Sequence, residues 1–405
     1  MKDKITLSDQ SYSEFRSLLN LRELPNLHEI KDKRREKNSA IITINNDFGV
    51  FISAASRVEI VILSMFEYIR ENTNGNRITV KISGDATNVF KRGQIMNITF
   101  TLPDDTESCM SVEGNYLLGN FELPKENYES YSAALKQLFV EIDEIDKKEI
   151  TIDGQKYELD VWLTGDMIFL DHLLGIVGPG RGLAPCIWCK CPPERFKDFQ
   201  NWKNATCSEN FDCFRSYEDA LENQNINGYK NIPLTKLAYK KTTLDTLHMF
   251  LRITDKLQEL FWNDLLVIDN KKTDELEKRP ILKKLFTFLN NTCKIFKPFS
   301  FADKDIKLSS FSGKEKLQIF ESLKASDFAI IEELIGLNPR WQKRKTMVKT
   351  VWKEFYSIYC TIDTIKTNNT KKRAEKWLAI FVETYEPRAI SPYMHIFSAH
   401  LWHQL

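Results

Sequence analysis

"ITIDGQKYELDVWLTGDMIFLDHLLGIV", residues 150–177, decides the fold class. Asp153-Gly154 is a turn pair, because both residue types tolerate the tight backbone a two-residue connection needs. The residues after it alternate apolar and polar and read as a strand ending at Asp166. "MIFLDHLLGIV" then reads as the helix that leaves that strand.

Upstream, "RITVKISGD" (77–85) alternates Ile78, Val80 and Ile82 against polar positions and predicts a strand. "IMNITFTLP" (95–103) and "NYLLGNFELP" (115–124) predict two more, each stopped by proline. "YESYSAALKQLFVEIDEI" (128–145) carries an apolar stripe at helical spacing. Three strands, a helix, a strand and a helix imply an α/β fold, a mixed sheet with helices on its faces. That order matches an RNase H-like core.

Around this centre the pattern changes. Residues 1–75 read as mostly helical, with a solvated basic run at 31–37 and a breaker, "NTNGN", at 72–76. From about 187 to 390 nearly everything reads as helix and loop. "TTLDTLHMFLRITDKLQELFWNDLL" (242–266) is the strongest amphipathic element, and residues 316–335, 345–364 and 372–386 resemble it. The expected organisation is a helical N-terminal region (1–75), the sheet core (76–185) and a helical region (186–405).

A chain of 405 residues is long enough to bury a large core. Its net charge of +1 gives no global field for nucleic acid, so any such surface must come from local clusters. No run of 18 apolar residues exists, so no membrane span is expected. The first nine residues are polar and charged, unlike a secretory leader. An intracellular chain keeps thiols reduced, so the clustered ones among its eight cysteines read as metal ligands before disulfides.

Two acids stand in matching places. Asp85 ends "KISGD" and Asp166 ends "WLTGD", each after a glycine and each at an expected strand end. Two strand-end carboxylates that converge can hold Mg2+ or Mn2+, which prefer oxygen ligands. A metal pair can activate a water and stabilise a leaving oxygen in phosphoryl transfer. The plainer alternative is turn chemistry, since aspartate suits tight turns. Asp245, in "LDTLH", is a further acid that reads better as a helix cap. His248 reads as a packed core histidine, while Asp171 and His172 belong to the helix surface or the site's edge.

Cys186 and Cys189 form a C-x2-C pair, half of a tetrahedral zinc site. Cys191, Cys207, Cys213 or the pair His395 and His400 could complete it. The H-x4-H spacing falls within the range of mixed Cys/His sites.

"SGD", "TGD", the C-x2-C pair, "LDTLHMFLRITDKLQELF" and the H-x4-H pair, taken in this order, resemble the V(D)J recombinase large-subunit core and its Transib-like transposase relatives. The resemblance covers roughly residues 77–405. It implies an RNase H-like core with a DDE acid triad, interrupted by a helical zinc-bearing insertion that includes 308–320. It assigns Asp85 and Asp166 as the first two catalytic acids, holding Mg2+ or Mn2+. It assigns Cys186, Cys189, His395 and His400 to one structural Zn2+. Double-stranded DNA as partner, a homodimer and a nuclear location come with it.

The family's third acid, a glutamate, follows the second histidine, and no matching glutamate stands between His400 and Leu405. Glu332 and Glu333 are acids without the matching context. The expected activity is therefore DNA strand cleavage and transfer that is incomplete or lost in this chain. The alternative is a non-catalytic, transposon-derived DNA-binding or zinc-stabilised interaction protein. Basic clusters at 31–37, 230–241, 338–345 and 366–376 are the candidate phosphate contacts, with Arg340 and Trp341 placed to stack or pair with DNA. Solvated helix faces would look the same.

Overall fold

The computed structural model describes residues 25–39, 41–90, 93–176, 186–191, 214–269, 276–296, 299–302, 305–308, 310–362 and 368–400. It is a mixed α/β protein whose contacts divide into two units, Met1–Val161 and Trp162–Leu405.

The first unit is built on a curled sheet. After α1 (Leu27–Ser39) come β1 (Thr43–Asn46), β2 (Gly49–Ile52) and α2 (Ala54–Ile69). Then follow β3 (Arg77–Phe90), β4 (Gly93–Thr101), β5 (Tyr116–Leu123), α3 (Tyr128–Ile145), β6 (Glu149–Ile152) and β7 (Gln155–Gly165). The sheet order is β1-β2-β5-β4-β3-β7-β6. β3, β4 and β5 form an antiparallel meander whose alternation buries Ile78, Val80 and Ile82, then Met96, Ile98 and Phe100. α3 starts where Asn127 accepts the Ser130 backbone N–H, and it buries Leu135, Leu138, Phe139 and Ile142.

Two features of this unit differ from the reading of the sequence. Residues 43–52, within a stretch expected to be helical, form a hairpin whose second strand pairs with β5. The Asn46 carboxamide accepts from the Phe48 and Gly49 N–H groups, which makes the turn. β3 also runs five residues past Asp85, because its register with β4 continues to Phe90. Asp85 therefore sits inside a strand, paired with Asn97, and not at a strand end.

β6 and β7 meet across Asp153 and Gly154, both with positive φ (51° and 81°), as the turn pair implies. Buried residues alternate along β7 up to Gly165. Its last three residues pair in parallel with β8 (Thr242–Leu244), so β6 and β8 occupy different ends of one strand.

The second unit is mostly helical. α4 (Met167–Leu173) and α5 (Tyr217–Glu222) precede β8. α6 (Thr246–Asp269) is followed by α7 (Pro280–Asn291) and a small hairpin, β9 (Phe299–Ala302) with β10 (Asp305–Leu308). Then come α8 (Gly313–Ala325), α9 (Ala329–Gly336), α10 (Gln342–Tyr359), α11 (Asn368–Tyr385) and α12 (Pro392–Ala399). α6 is central: α7, α8, α9, α10 and α12 all pack on it. Its buried stripe, Phe250, Ile253, Leu257, Phe261 and Leu265, follows helical spacing. Phe250 stacks on Tyr359 with centroids 4.2 Å apart, and Phe320 stacks on Tyr356 at 4.8 Å. The stretch 316–335 is two helices, since Asp327 and Phe328 both have positive φ.

Candidate metal centre

Cys186, Cys189, His395 and His400 converge in the second unit. One ligand atom from each lies within 4.8 Å of the other three, and all four residues are buried. Cys189 Sγ is 3.4 Å from His395 Nε2, and the two Nε2 atoms are 3.2 Å apart. A tetrahedral zinc with ordinary bond lengths would set these at about 3.6 and 3.3 Å. Two thiols and two imidazoles turned inward at these separations can hold a metal ion such as zinc.

The spacing H-x4-H needs a helix end. Residues five apart on an α-helix point roughly 140° from each other, so two histidines at that spacing inside one regular helix would not meet at one metal. α12 resolves this by stopping between them. Ser391 caps its start, accepting from the Met394 N–H, and Pro392 occupies the first turn. His395 is helical, whereas His400 lies past Ala399 with φ −122° and ψ −14°.

The cysteine half is held by backbone. Cys189 makes an isolated antiparallel bridge to Phe214, and Trp188 Nε1 donates to the Thr242 carbonyl at 2.9 Å. Buried Arg215 donates from Nε to the Cys186 carbonyl, and its backbone N–H reaches the Trp188 carbonyl, each at 2.9 Å. The guanidinium lies over the Tyr229 ring, and Tyr229 in turn donates to Asp219. Arg215 thus clamps the turn that presents both thiols. Outer groups that orient ligands commonly change metal affinity by about 10–100-fold. Arg215→Met is therefore expected to weaken zinc binding by a factor in that range, measured by competition with a chromophoric chelator.

The electrostatics of the pocket favour thiolate and neutral imidazole. Burial alone would raise the Cys186 thiol, but the hydrogen bond to Cys189 and the facing His400 and His395 carry it well below the usual thiol range. Burial pushes His400 down from the ordinary histidine value. These are the protonation states that bind a metal.

The acids have other surroundings. Asp166 caps α4, its carboxylate accepting the Phe169 N–H at 2.8 Å. Asp245 follows β8 as Asp166 follows β7, and the parallel register sets Leu244 opposite Gly165. Asp245 accepts the Leu247 N–H and pairs with His248 at 2.7 Å. His248 is thus a half-exposed partner of Asp245 and not a core residue. Asp171 is fully buried, so of the two places expected for it the helix surface is excluded, and it lies near Asp166 and Cys186. Burial drives its carboxyl well up, Arg215 opposes that, and Cys186 and Asp166 add to it. Glu332 pairs with Lys349 and Glu333 with Lys284. Among the described residues, the Cys/His set is the one group of metal-binding side chains brought together. Cys191 is buried nearby in sequence but is outside that group; Cys207 and Cys213 lie outside the described residues.

No helix of the described residues is long and apolar enough to cross a membrane. No protein-family model matches the chain, and no curated protein matches it. Fold and site together define a mixed α/β protein with a buried Cys2His2 cluster.

Proposed function

We propose that this chain is a transposase- or recombinase-type core that binds double-stranded DNA, its helical half clasped by structural zinc. The observation that carries this reading is the assembly of one Cys2His2 cluster from segments 206 residues apart, the four positions the family resemblance assigns. The sheet supports it: β5, β4, β3 and β7 lie in that order, and β8 continues parallel to β7. That arrangement suits an RNase H-like core. Asp166, at the carboxyl end of a parallel strand, is where such folds place reacting groups.

In this reading Asp85 and Asp166 are the acids that would take Mg2+ or Mn2+, and a nuclear, dimeric protein follows from the same resemblance. Among the described residues no group of three metal-binding side chains forms around either acid, so strand cleavage by this chain is weak or absent. Zinc here is structural, because all four donors come from protein and no position is left for a substrate.

Binding to a duplex of random sequence should fall steeply between roughly 50 and 200 mM salt, as counterion release requires. Filter binding over that range tests it, and no retention at the low end overturns the DNA reading. Robust Mn2+-dependent nicking that Asp166→Asn abolishes would replace the weak-cleavage expectation with an active enzyme.

A further inference from the structure

A cavity of about 440 Å3 lies beside the metal cluster in the second unit. Roughly 300–1,000 Å3 is the usual span for small-molecule sites. Its walls are aromatic: Trp188, Phe214, Tyr217 and Tyr239 all line it. Lys236 and Lys240, both exposed, line it too. Aromatic walls with two lysines among the lining residues suit a planar heterocycle carrying a phosphate. We propose that this cavity binds a single nucleotide, its base against the aromatic walls and its phosphate at Lys236 and Lys240.

Three observations support this. The walls are fixed before any ligand arrives. The Trp188 indole is tied to the Thr242 carbonyl, and the Tyr239 hydroxyl donates to the Leu174 carbonyl at 2.9 Å. Pre-fixed rings lose little freedom on stacking a base, and such stacks are tolerant of base identity. Second, Thr242 is among the lining residues, and its buried hydroxyl has no hydrogen-bond partner among the described residues. A base edge offers both a donor and an acceptor to such a hydroxyl. Third, the charge suits an anion: Arg215 joins the two lysines, against the single carboxylate of Glu218.

The cavity is joined to the cluster through rings. Trp188 and Phe214 lie 5.6 and 5.8 Å from His400, centroid to centroid. A metal held by His400 would fix the ring against which both walls pack. Nucleotide binding should therefore need the metal.

The nucleotide has two sources: an unstacked residue of a DNA strand, which rests on the function proposed above, or a free mononucleotide. The test uses the full, zinc-loaded chain with dAMP, deoxyadenosine and ribose 5-phosphate in equilibrium dialysis. dAMP should bind at least tenfold more tightly than either fragment. Lys236→Glu/Lys240→Glu should cut dAMP affinity at least tenfold and leave deoxyadenosine unchanged. Its zinc content should equal that of the parent, since both side chains are exposed. Chelation should abolish dAMP binding. Equal dAMP affinity in the double variant, or no saturable dAMP binding, overturns the site.

A single-stranded oligonucleotide containing 2-aminopurine separates the sources. Fluorescence quenching that excess dAMP reverses assigns the site to a strand. dAMP binding without quenching assigns it to free nucleotide, and that outcome leaves duplex binding as a separate result. Duplex retention without dAMP binding or quenching sinks the cavity alone.

Discussion

Cys186→Ser or His400→Ala should each abolish stoichiometric zinc and lower the melting temperature of the protein by at least about 10 °C. Zinc-finger peptides gain about 10–16 kcal/mol of apparent binding energy from such sites, and that binding is folding energy. Loss of even about 5 kcal/mol moves the midpoint of a domain near this size by about 10–20 °C. The cost is high because the remaining ligands stay in an apolar pocket between α12 and the turn that Arg215 clamps. Cys191→Ser is the control. Cys191 is buried but outside the group, so zinc content should stay at one per chain. Acid should release the metal at a pH below the ordinary histidine range, because proton and metal compete for His400 and burial already holds its protonation down. Metal analysis with calorimetry checks all three. Full zinc content in both ligand variants would dismiss the cluster.

Arg344→Ala should lower the melting temperature by about 10 °C with zinc retained. Arg344 stands in a basic stretch that reads as a phosphate contact, yet its charge is already engaged. Nε and Nη2 bond the Asp264 carboxylate at 2.8–3.3 Å, and Nη1 donates to the Thr384 carbonyl. The guanidinium also lies over Trp341 and Tyr385, 5.1 and 5.0 Å from the ring centres. Removing one partner of a fully buried pair costs about 3–5 kcal/mol, because the other charge is stranded; with Asp264 buried and Arg344 partly exposed, the cost falls toward the lower end. Lysine cannot supply both the fork and the stack, so Arg344→Lys should recover little. Burial raises the Asp264 carboxyl and Arg344 opposes that rise. Without Arg344 the folded carboxyl is higher still. A folded value above the unfolded one adds stability at low pH and forfeits it as pH rises through the folded value. The gap between variant and parent should therefore narrow on acidification. Arg344→Met/Asp264→Leu, which removes both charges, should regain much of the loss.

Much of the sheet could be read from local pattern. Residues 128–145 form the expected helix to the residue, because Asn127 caps it and its apolar spacing is unbroken. The turn at Asp153-Gly154 was equally plain. β8 has three residues and draws its stability from β7, so no local pattern announces it. The hairpin at 43–52 was hidden because "AIITINNDFGVFIS" is apolar on either side of a short turn. The break at Asp327-Phe328 carries no glycine or proline, and left-handed phenylalanine is not signalled by composition.

The candidate site was legible in a different way. The C-x2-C pair is visible locally, but no spacing rule joins it to histidines 206 residues away. Family resemblance named the four together. Asp166 was found by its place after a strand, and its hydrogen bond to the Phe169 N–H makes it a helix cap, the role the sequence reading gave to Asp245. Asp85 was misplaced because Gly84 looked like a terminus, whereas β4 supplies partners beyond it. The burial of Asp171 follows from Arg215 and Cys186 arriving from elsewhere in the chain, which helix periodicity cannot foresee.

The distance between the two halves of the clasp also sets a clock. Translation adds about 5–20 residues per second, so Cys189 leaves the ribosome about 10–40 s before His395. Over that interval the site has its two thiolates and neither of its two imidazoles. Zinc held by two donors exchanges readily, and uncovered thiolates are the first groups to meet an oxidant. The helical half can be locked only once residues through His400 have emerged. Full zinc occupancy is then a chemical signature of a chain translated through its second histidine.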